Sequence, residues 1–421
     1  MTAVRQIVPT ARRRDLADVL DDLAGASQLP PFADESVAFC DALSRRMFRD
    51  PAGRAHPELH VLAYWLRRAS VHRLHEAFEE ESTPGTMLLP RGLVFHVPPT
   101  NVDTMAVYSL ALSLLVGNRN LVRISPRHNP PMDALLSALE DTLADKRFDA
   151  LRAGTAVLSY GHEDEPTALA SSACDVRVLW GGDETVTRLR QFPLRPDAKD
   201  VVFPDRFSFA VVDARAWLDV PETRRDELAK RLYDDAYWFD QMGCASPRLL
   251  VWCGEPEAAS DAGDDLYRRL ADIILERGYT LETGAVIGKM TYAFNAAADR
   301  PVSSARWEHN ELTVLRLDSL DRFDRTHTGA GLFFEAVVPN LADLTTFITR
   351  KDQTMTAFGF ADEELRAFVA SANGRGVDRI VPFGQALAFD RLWDGMDLLT
   401  ELSRRVVVAS SLPTRALAVA R

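Results

Sequence analysis

Between Thr86 and Val212 the chain alternates short apolar runs with amphipathic segments, and this alternation constrains the fold more than any other feature of the sequence. The apolar runs are nearly continuous in hydrophobic residues, which is typical of strands that are covered on both faces. Short links containing Gly, Pro, Ser or Asn join the runs to the segments between them. We therefore expect an α/β fold with a parallel sheet, whose ligand-binding loops follow the carboxyl ends of the strands.

The boundaries of these elements can be predicted from the pattern. The predicted strands are Met87–Leu89, Leu93–Val97, Leu121–Ile124, Thr155–Ser159, Asp175–Trp180 and Phe207–Val212. The predicted helices that follow them are Asp103–Val116, Met132–Lys146, Glu165–Ser172 and one that ends near Gln191. Residues 1–80 read as helices over Asp15–Ala24, Asp34–Phe48 and Pro57–Glu80. We predict four divisions, over residues 1–80, 81–212, 213–375 and 376–421.

Composition and charge narrow the class of protein. A chain of 421 residues can hold two or three domains, and a net charge of −12 argues against general binding of nucleic acid. The longest apolar stretch, Met105–Val116, is too short to cross a bilayer, and Met1–Asp15 lacks an apolar core of signal-peptide length. The 4 cysteines form no CxxC pair, which favours a reducing cytoplasm and free thiols. We predict no metal site.

One cysteine lies in a short turn between a helix and a strand. Cys244 follows Gly243, with the predicted helix Glu227–Trp238 ahead of it and the apolar run Leu249–Trp252 after it. Glycine lets the backbone approach a substrate, and a turn leaves the thiol accessible. Such a thiol can attack an acyl group and hold it as a thioester. The alternative is a buried cysteine that fills space, and the local sequence leaves both interpretations open.

Five segments, in this order, resemble the aldehyde dehydrogenase superfamily, and most closely its LuxC-like branch of acyl-CoA reductases. They are Val97–Asn101, Gly117–Arg123, Trp180–Glu184, the Cys244 turn, and Val381–Gly384 with Trp393–Gly395. The resemblance implies an aldehyde-dehydrogenase-like fold, with an NAD(P)-binding domain over 81–212 and a catalytic cysteine domain over 213–375. It further implies a C-terminal segment, 376–421, that returns to the first domain and serves oligomerisation.

The resemblance assigns catalytic roles to three residues. Cys244 is implied to be the nucleophile that attacks an acyl thioester. The amide of Asn101 is implied to donate to the developing oxyanion, together with the backbone N–H of Cys244. The spacing from Asn101 to Gly117 is one residue shorter than in the general superfamily pattern, so Thr100 is a competing candidate. The alternative for Asn101 is a helix N-cap ahead of Asp103.

Cofactor residues are implied in the same way. Arg123 falls where the superfamily has a lysine that contacts the adenosine ribose, and a guanidinium there favours NADPH over NADH, although NADH remains possible. Ser125 follows the same strand and is assigned to the cofactor with it. Gly181, Gly182 and Asp183 match a turn into a helix whose N–H groups can face a pyrophosphate. The alternatives are a surface arginine and ordinary helix capping.

A glutamate in an apolar run is also assigned to the cofactor. Glu335, in Phe333-Phe334-Glu335, resembles the family glutamate that holds the nicotinamide ribose. The alternative is a buried ion pair, because a carboxylate in an apolar run needs a partner.

One segment departs from the family pattern. Oxidising members carry a glutamate in Glu-Leu-Gly-Gly-Lys that activates water, whereas the corresponding stretch here, Phe203–Ser208, lacks it. Without that base an acyl-enzyme should persist long enough to be reduced to the aldehyde. Asp205 is the remaining carboxylate near this position, and we expect Arg206 to pair with it.

The combined expectation is an NADPH-dependent reductase that converts an acyl thioester to the aldehyde through a cysteine acyl-enzyme. The acyl group is expected on coenzyme A, on a carrier protein or on a partner synthetase, and Val406–Val408 are implied to support a homo-oligomer. One alternative is an NAD(P)-dependent dehydrogenase that oxidises an aldehyde. Another is a cofactor-free cysteine acyltransferase, which needs a histidine base near Cys244, with His96 the first to examine.

Overall fold

The contacts within the chain divide it into two units. The computed structural model describes residues 2–51, 56–83, 85–127 and 129–408. Unit 1 comprises Met1–Pro204 and Phe389–Arg421, and unit 2 comprises Asp205–Ala388.

Strands and helices are numbered in chain order over the described residues. The strands are β1 (Ala3–Val8), β2 (Arg12–Asp15), β3 (Thr86–Pro90), β4 (Leu93–Val97), β5 (Arg119–Ile124), β6 (Thr155–Ser159), β7 (Val176–Trp180), β8 (Lys199–Phe203), β9 (Phe207–Asp213), β10 (Pro247–Cys253), β11 (Val302–His309), β12 (Leu312–Leu317), β13 (Leu332–Val338), β14 (Asp352–Phe358), β15 (Arg379–Pro382), β16 (Leu392–Trp393), β17 (Met396–Asp397) and β18 (Ser403–Val407). The α-helices are α1 (Leu16–Gly25), α2 (Asp34–Arg49), α3 (Pro57–Trp65), α4 (Arg68–Glu80), α5 (Thr104–Leu115), α6 (Pro130–Leu143), α7 (Asp149–Ala153), α8 (Asp164–Ala173), α9 (Asp183–Arg190), α10 (Ala214–Asp219), α11 (Glu222–Ala236), α12 (Pro256–Arg277), α13 (Thr283–Asp299), α14 (Asp362–Ala372) and α15 (Leu398–Glu401). The 3-10 helices are Lys146–Phe148, Trp238–Gln241 and Leu341–Thr346.

Unit 1 contains the predicted parallel sheet. Its strand order is β2-β1-β6-β5-β4-β7-β8, and the five strands from β6 to β8 in that order are parallel. Every residue of β4, β6 and β7 is buried, because helices cover both faces of the sheet. The loops after β4, β5, β6 and β7 therefore follow the carboxyl ends of adjacent strands. The parallel α/β architecture predicted from the apolar runs is confirmed.

The prediction of an all-helical segment over residues 1–80 is wrong in its first part. Strands β1 and β2 form an antiparallel hairpin that extends the sheet beside β6. Strand β2 has the sequence Arg12-Arg13-Arg14-Asp15, and such a charged edge strand carries no apolar pattern to reveal it. The predicted helix Pro57–Glu80 is two helices, α3 and α4. Strand β8 was not predicted.

Unit 2 is a second α/β unit. Its sheet has the order β11-β12-β13-β10-β9-β14-β15, in which β11 alone is antiparallel to its neighbour. One apolar core lies between this sheet and helices α10, α11 and α12, and a second core lies on the opposite face. The cysteine turn leads into β10, near the centre of this sheet.

The units divide the chain at positions other than those predicted. The predicted boundary between residues 212 and 213 falls inside β9. The second unit begins earlier in the chain, at Asp205. The predicted segment 376–421 is also divided, because β15 belongs to unit 2 and the chain from Phe389 belongs to unit 1. Residues 409–421 of that segment lie outside the described residues.

The last described strand pairs within its own unit. Strand β18 runs antiparallel to β3 in a two-stranded sheet, with Val406 opposite Met87. Met87, Val407 and Val408 are exposed. Across the described residues, no helix combines the length and the hydrophobicity needed to cross a membrane.

A buried carboxylate ties the helix before the cysteine turn to the segment after β15. Asp235 of α11 is 1% exposed, and it accepts hydrogen bonds from the backbone N–H groups of Gly384 (2.6 Å) and Ala386 (2.8 Å). Burial raises the pKa of Asp235 to about 7, although these two hydrogen bonds act to lower it. The cost of burying the charged form therefore outweighs the two hydrogen bonds at this position.

We expect the stability of unit 2 to depend on this group. The folded protein keeps the proton on Asp235 up to about pH 7, whereas an unfolded aspartate releases it at about pH 4, so stability falls as pH rises between these values. Asp235→Asn should remove this loss. The free energy of unfolding of the variant, relative to that of wild type, should therefore rise by about 3 kcal/mol between pH 5 and pH 8. Urea titrations at both pH values measure this gain. A constant difference would contradict it, and the exposed Asp299→Asn should show no such trend.

Candidate active site

The predicted cysteine turn is present, and it lies at the start of a central strand. Helix α11 ends at Ala236, the 3-10 helix Trp238–Gln241 follows, and β10 begins at Pro247. Cys244 lies in the turn and is half-buried. Its backbone carbonyl accepts a hydrogen bond of 2.7 Å from the hydroxyl of Ser208, on the neighbouring strand β9. The interpretation of Cys244 as a residue in a turn that feeds a strand is therefore confirmed.

The backbone ahead of Cys244 is strained. Phe239, Asp240 and Gln241 have φ values of 54°, 52° and 63°, in the left-handed region that costs a non-glycine residue about 1–2 kcal/mol. The strain persists because neighbouring groups hold the segment. The carbonyl of Asp240 accepts a hydrogen bond of 2.8 Å from the N–H of Ala330, and its carboxylate accepts one of 2.8 Å from the hydroxyl of Tyr279. Strain of this kind is concentrated at functional sites.

A buried arginine supports the turn from inside the unit. Arg248 is 2% exposed, and its guanidinium donates to the carbonyls of Gln241 (3.2 Å), Gly243 (2.7 Å) and Arg206 (3.0 Å). Burial lowers the pKa of Arg248 to about 10, and the charges of Cys244 and Asp205 act to raise it. The guanidinium therefore contacts the backbone on both sides of Met242 and lies within electrostatic range of the thiol.

Two glycines let other segments approach the turn closely. A Cβ atom on Gly329 would lie 2.4 Å from the carbonyl oxygen of Asp240, so only glycine fits there. A Cβ atom on Gly243 would lie 3.3 Å from the side chain of Leu387, which packs over the glycine that precedes Cys244. Leu387 is half-buried and supplies an apolar wall beside the turn.

The remaining cysteines are buried. Burial raises the pKa of Cys40, Cys174 and Cys253 to about 12 in each case. Thiols of this kind stay protonated and inert at neutral pH. Of the 4 cysteines, Cys244 is thus the one whose environment suits a nucleophile.

Two histidines that a cysteine acyltransferase could use as its base, His96 and His327, are weakly basic. His96 is fully buried in unit 1, where its ring nitrogens contact the Ser109 hydroxyl (2.8 Å) and the Asn120 carbonyl (3.0 Å). Burial lowers its pKa to about 4. In unit 2, burial and the charge of Arg248 lower the pKa of His327 to about 3, which makes it a poor base. His128 lies outside the described residues.

Glu335 is a buried carboxylate in the interior of unit 2. It lies in the middle of β13, opposite Leu250 of β10, and its carboxylate accepts a hydrogen bond of 2.8 Å from the indole of Trp252. Burial raises the pKa of Glu335, whereas the bond from Trp252 and the charge of Arg316 act to lower it. The partner in that hydrogen bond is a neutral indole, so these contacts do not show the buried ion pair of the alternative interpretation. The predicted contact with the cofactor ribose stays a prediction.

Asp205 and Arg206 each contact a charged residue from a distant part of unit 2. Lys351 contacts the Asp205 carboxylate at 3.5 Å, and Arg206 forms an ion pair with Asp378. The expected pairing of Asp205 with Arg206 stays a prediction. The family glutamate is absent from the sequence of this stretch, whichever residues Asp205 and Arg206 pair with.

The predicted oxyanion residues lie in the loop after β4. Thr100 and Asn101 are both exposed, and Asp103, rather than Asn101, occupies the N-cap position of α5. The capping alternative for Asn101 is therefore wrong. Thr100 also lines a cleft of about 200 Å³ with Pro98, Ile124 and Ser125, at the carboxyl ends of β4 and β5.

The glycine turn after β7 leads into a helix, as predicted. Gly182 is the N-cap of α9, and Asp183 is its first residue. A Cβ atom on Gly182 would have no neighbour within 4 Å, so the space beside this N-cap residue is open. An open helix N-terminus with glycines fits a phosphate group, while the exposed carboxylates of Asp183 and Glu184 oppose an anion there.

Arg123 lies beside the loop after β6. Its guanidinium donates to the carbonyl of Gly161 and lies 5.4 Å from the centroid of the Tyr160 ring. Burial lowers the pKa of Arg123, while the charges of Tyr160 and Glu163 act to raise it. Arg123 is thus a half-buried, anchored cation, not the freely solvated arginine of the alternative.

Sequence reasoning missed the residues that support the cysteine turn. They are Arg248, Ala330, Tyr279 and Leu387. The sequence offered one indication of the role of Arg248, which directly precedes the apolar run Leu249–Trp252. A charged residue next to a buried strand is expected to be buried with it and to need hydrogen-bond partners. The others are far from Cys244 in sequence and left no signal.

The fold has known counterparts among aldehyde dehydrogenases. An aldehyde dehydrogenase (ALDH21) from Physcomitrella patens, in complex with the reaction product succinate, is 12% identical, with a TM-score of 0.65 over 93% of this chain and 89% of that chain. A lactaldehyde dehydrogenase is 13% identical, with a TM-score of 0.65 over 94% of this chain and 90% of that chain. At such low identity these likenesses show the fold alone, which is aldehyde-dehydrogenase-like as predicted.

Two sequence relatives carry the same description. A long-chain acyl-protein thioester reductase from Aliivibrio fischeri is 22% identical over 47% of this chain and 36% of its own length. One from Vibrio harveyi is 23% identical over 75% of this chain and 63% of its own length. The chain thus covers less than two thirds of either relative. The family model for acyl-CoA reductase (LuxC) matches residues 70–405, which is most of the chain. The chain therefore belongs to the acyl-CoA reductase (LuxC) family.

Proposed function

We propose that this protein reduces an acyl thioester to the aldehyde, with Cys244 as the residue that carries the acyl group. The observation that carries the proposal is the state of Cys244, a half-buried thiol in a strained and firmly held turn, while Cys40, Cys174 and Cys253 are buried. Membership of the acyl-CoA reductase family and the names of the two relatives support the same activity.

The chemistry begins with attack on the thioester. The thiolate of Cys244 adds to the acyl carbonyl carbon, and the tetrahedral intermediate expels the thiolate of the carrier, which takes a proton from solvent. The acyl group is then held on Cys244 as a new thioester. Thr100 or Asn101 is the proposed side-chain donor for the oxyanion. Because Phe203–Ser208 supplies no family glutamate to activate water, the acyl-enzyme awaits reduction instead of hydrolysis.

The proposed reductant is NADPH, with NADH as the alternative. Gly181, Gly182 and the N–H groups at the start of α9 would hold the pyrophosphate, against the opposing charge of Asp183, and Arg123 would bind the 2′-phosphate. Ser125 belongs to the cleft at the carboxyl ends of β4 and β5. When bound, the nicotinamide supplies the hydride that converts a thioester to an aldehyde.

The acyl donor and the assembly are proposals of the same kind. The relatives are named for acyl-protein substrates, so we propose that the acyl group arrives on a carrier protein or partner synthetase as well as on coenzyme A. Exposed apolar residues on β3 and β18 favour a homo-oligomer through these strands. The cofactor-free acyltransferase is disfavoured by the low basicity of His327.

Cys244→Ser should abolish aldehyde formation and leave NADPH binding within about twofold of wild type, because the hydroxyl is a far weaker nucleophile than the thiol. Aldehyde is measured by trapping with a hydrazine after incubation with acyl-CoA and NADPH, and binding is measured by nucleotide fluorescence. Cys253→Ala, which changes a buried cysteine of the same unit, is the matched control and should retain the activity. Aldehyde formation by the serine variant at the wild-type rate would contradict the role of Cys244.

Arg123→Ala should weaken NADPH binding by about tenfold and NADH binding by less than about twofold, because a 2′-phosphate contact is worth roughly 1.4 kcal/mol or more. Both dissociation constants are measured by fluorescence titration of the purified protein. Arg152→Ala is the control, since this exposed arginine pairs with Asp149 and has no proposed role in nucleotide binding. Equal weakening of both nucleotides would remove the argument for phosphate selectivity.

A further inference from the structure

We propose that Arg248 is a positioning residue for Cys244, which fixes the shape of the turn and stabilises the thiolate through its positive charge. The proposal rests on the proposed role of Cys244 as the nucleophile, and it adds the means by which that thiol becomes reactive. Neither the family pattern described above nor the sequence analysis assigns a role to Arg248.

The geometry fixes the backbone on both sides of the thiol. Two nitrogens of the guanidinium donate to Gln241 and Gly243, the residues that end the strained segment and precede Cys244. The third nitrogen donates to Arg206, which lies just ahead of β9. Behind Cys244, the hydroxyl of Ser208 holds its carbonyl. The turn is therefore fixed from the buried side while Cys244 itself stays half-buried.

The charge of Arg248 is unusual among the buried arginines of the described chain. Arg177 and Arg269 are also buried, but each is paired with carboxylates: Arg177 with Asp200, and Arg269 with Asp226 and Asp265. Within the described ranges, Arg248 has three carbonyl acceptors and no ion pair. The charge of Asp205 acts on Arg248 without forming an ion pair with it. A buried cation without an ion pair is costly, and such a group is a candidate for function.

Besides Asp205, whose charge also acts on Arg248, the thiol of Cys244 is a group near the turn that can become an anion. His327 faces Arg248 from the segment before β13 and is neutral at pH 7, because burial and that same arginine lower its pKa to about 3. Asp205 contacts Lys351, while Arg206 pairs with Asp378. Asp240 accepts from Tyr279, whose pKa is raised by burial. Loss of the proton from Cys244 to solvent would place a negative charge within range of an unpaired guanidinium.

The chemical consequence is a larger fraction of thiolate at neutral pH. The thiolate, and not the thiol, attacks an acyl carbonyl. A fixed positive charge lowers the free energy of the thiolate without acting as a base, so no histidine is required. After reduction of the acyl group, the same charge favours departure of Cys244 as a thiolate when the thiohemiacetal collapses to the aldehyde.

The test measures the reactivity of Cys244 directly. Wild type, Arg248→Lys and Arg248→Gln are alkylated with iodoacetamide from pH 5 to pH 10, and the modified peptide is quantified by mass spectrometry. The lysine keeps the charge, and the glutamine keeps a donor without it. We expect the pH midpoint of alkylation to rise by at least about 1 unit in Arg248→Gln and by less than about 0.3 unit in Arg248→Lys. Alkylation of Arg248→Gln at pH 7 should be about tenfold slower.

Equal midpoints in all three proteins would overturn the charge role, because a structural role changes stability and not the pH profile. Arg269→Gln is the control, since it removes a buried arginine of the same unit that has carboxylate partners. If Arg248→Gln does not fold, the pH midpoint of Cys244 alkylation in wild type provides the test. A midpoint at or above that of a free cysteine, about 8.5, overturns the proposal. Alkylation needs neither acyl donor nor nucleotide, so a shifted midpoint without aldehyde formation would contradict the proposed function and leave this inference standing.

Discussion

The site depends on a turn that the backbone would not adopt unaided. Three successive non-glycine residues, Phe239 to Gln241, have left-handed conformations, and together they cost several kcal/mol by the usual scale of about 1–2 kcal/mol each. Hydrogen bonds from Ala330, Tyr279 and the guanidinium of Arg248 offset that cost. These supports come from three different parts of unit 2, so the position of Cys244 depends on the folding of the whole unit. A rigid, half-buried thiol is the kind of group that covalent catalysis requires.

Much of unit 1 could be predicted from the sequence because its strands are covered on both faces. Leu93–Val97 and Thr155–Ser159 were predicted with the bounds that the structure shows, since continuous apolar runs between turn residues have few other interpretations. The hairpin of β1 and β2 could not be predicted in this way, because Arg12–Asp15 is charged and is stabilised by pairing with β1. Secondary structure that depends on a partner strand leaves a weak local signal.

In the candidate site, too, local features could be predicted from the sequence, whereas contacts between distant segments could not. The turn around Cys244 was predicted from glycine, small residues and the strand that follows, all of which are local. Its support by Ala330 and Leu387 could not be predicted, because these contacts join residues far apart in the chain. The hydrogen bond between Glu335 and Trp252 could not be predicted either, because local sequence does not show which group will lie against a buried carboxylate. Local sequence features identified the candidate site residues, whereas the groups that surround them became known only from the structure.

The most direct test of the account is to look for the acyl group on the protein. Incubation with an acyl-CoA in the absence of reduced nicotinamide, followed by intact-mass and peptide mass spectrometry, should show one acyl group, bound at Cys244. Addition of NADPH should then release that group as the aldehyde. An unmodified Cys244 under these conditions, or an acyl group found only on another residue, would contradict the central claim.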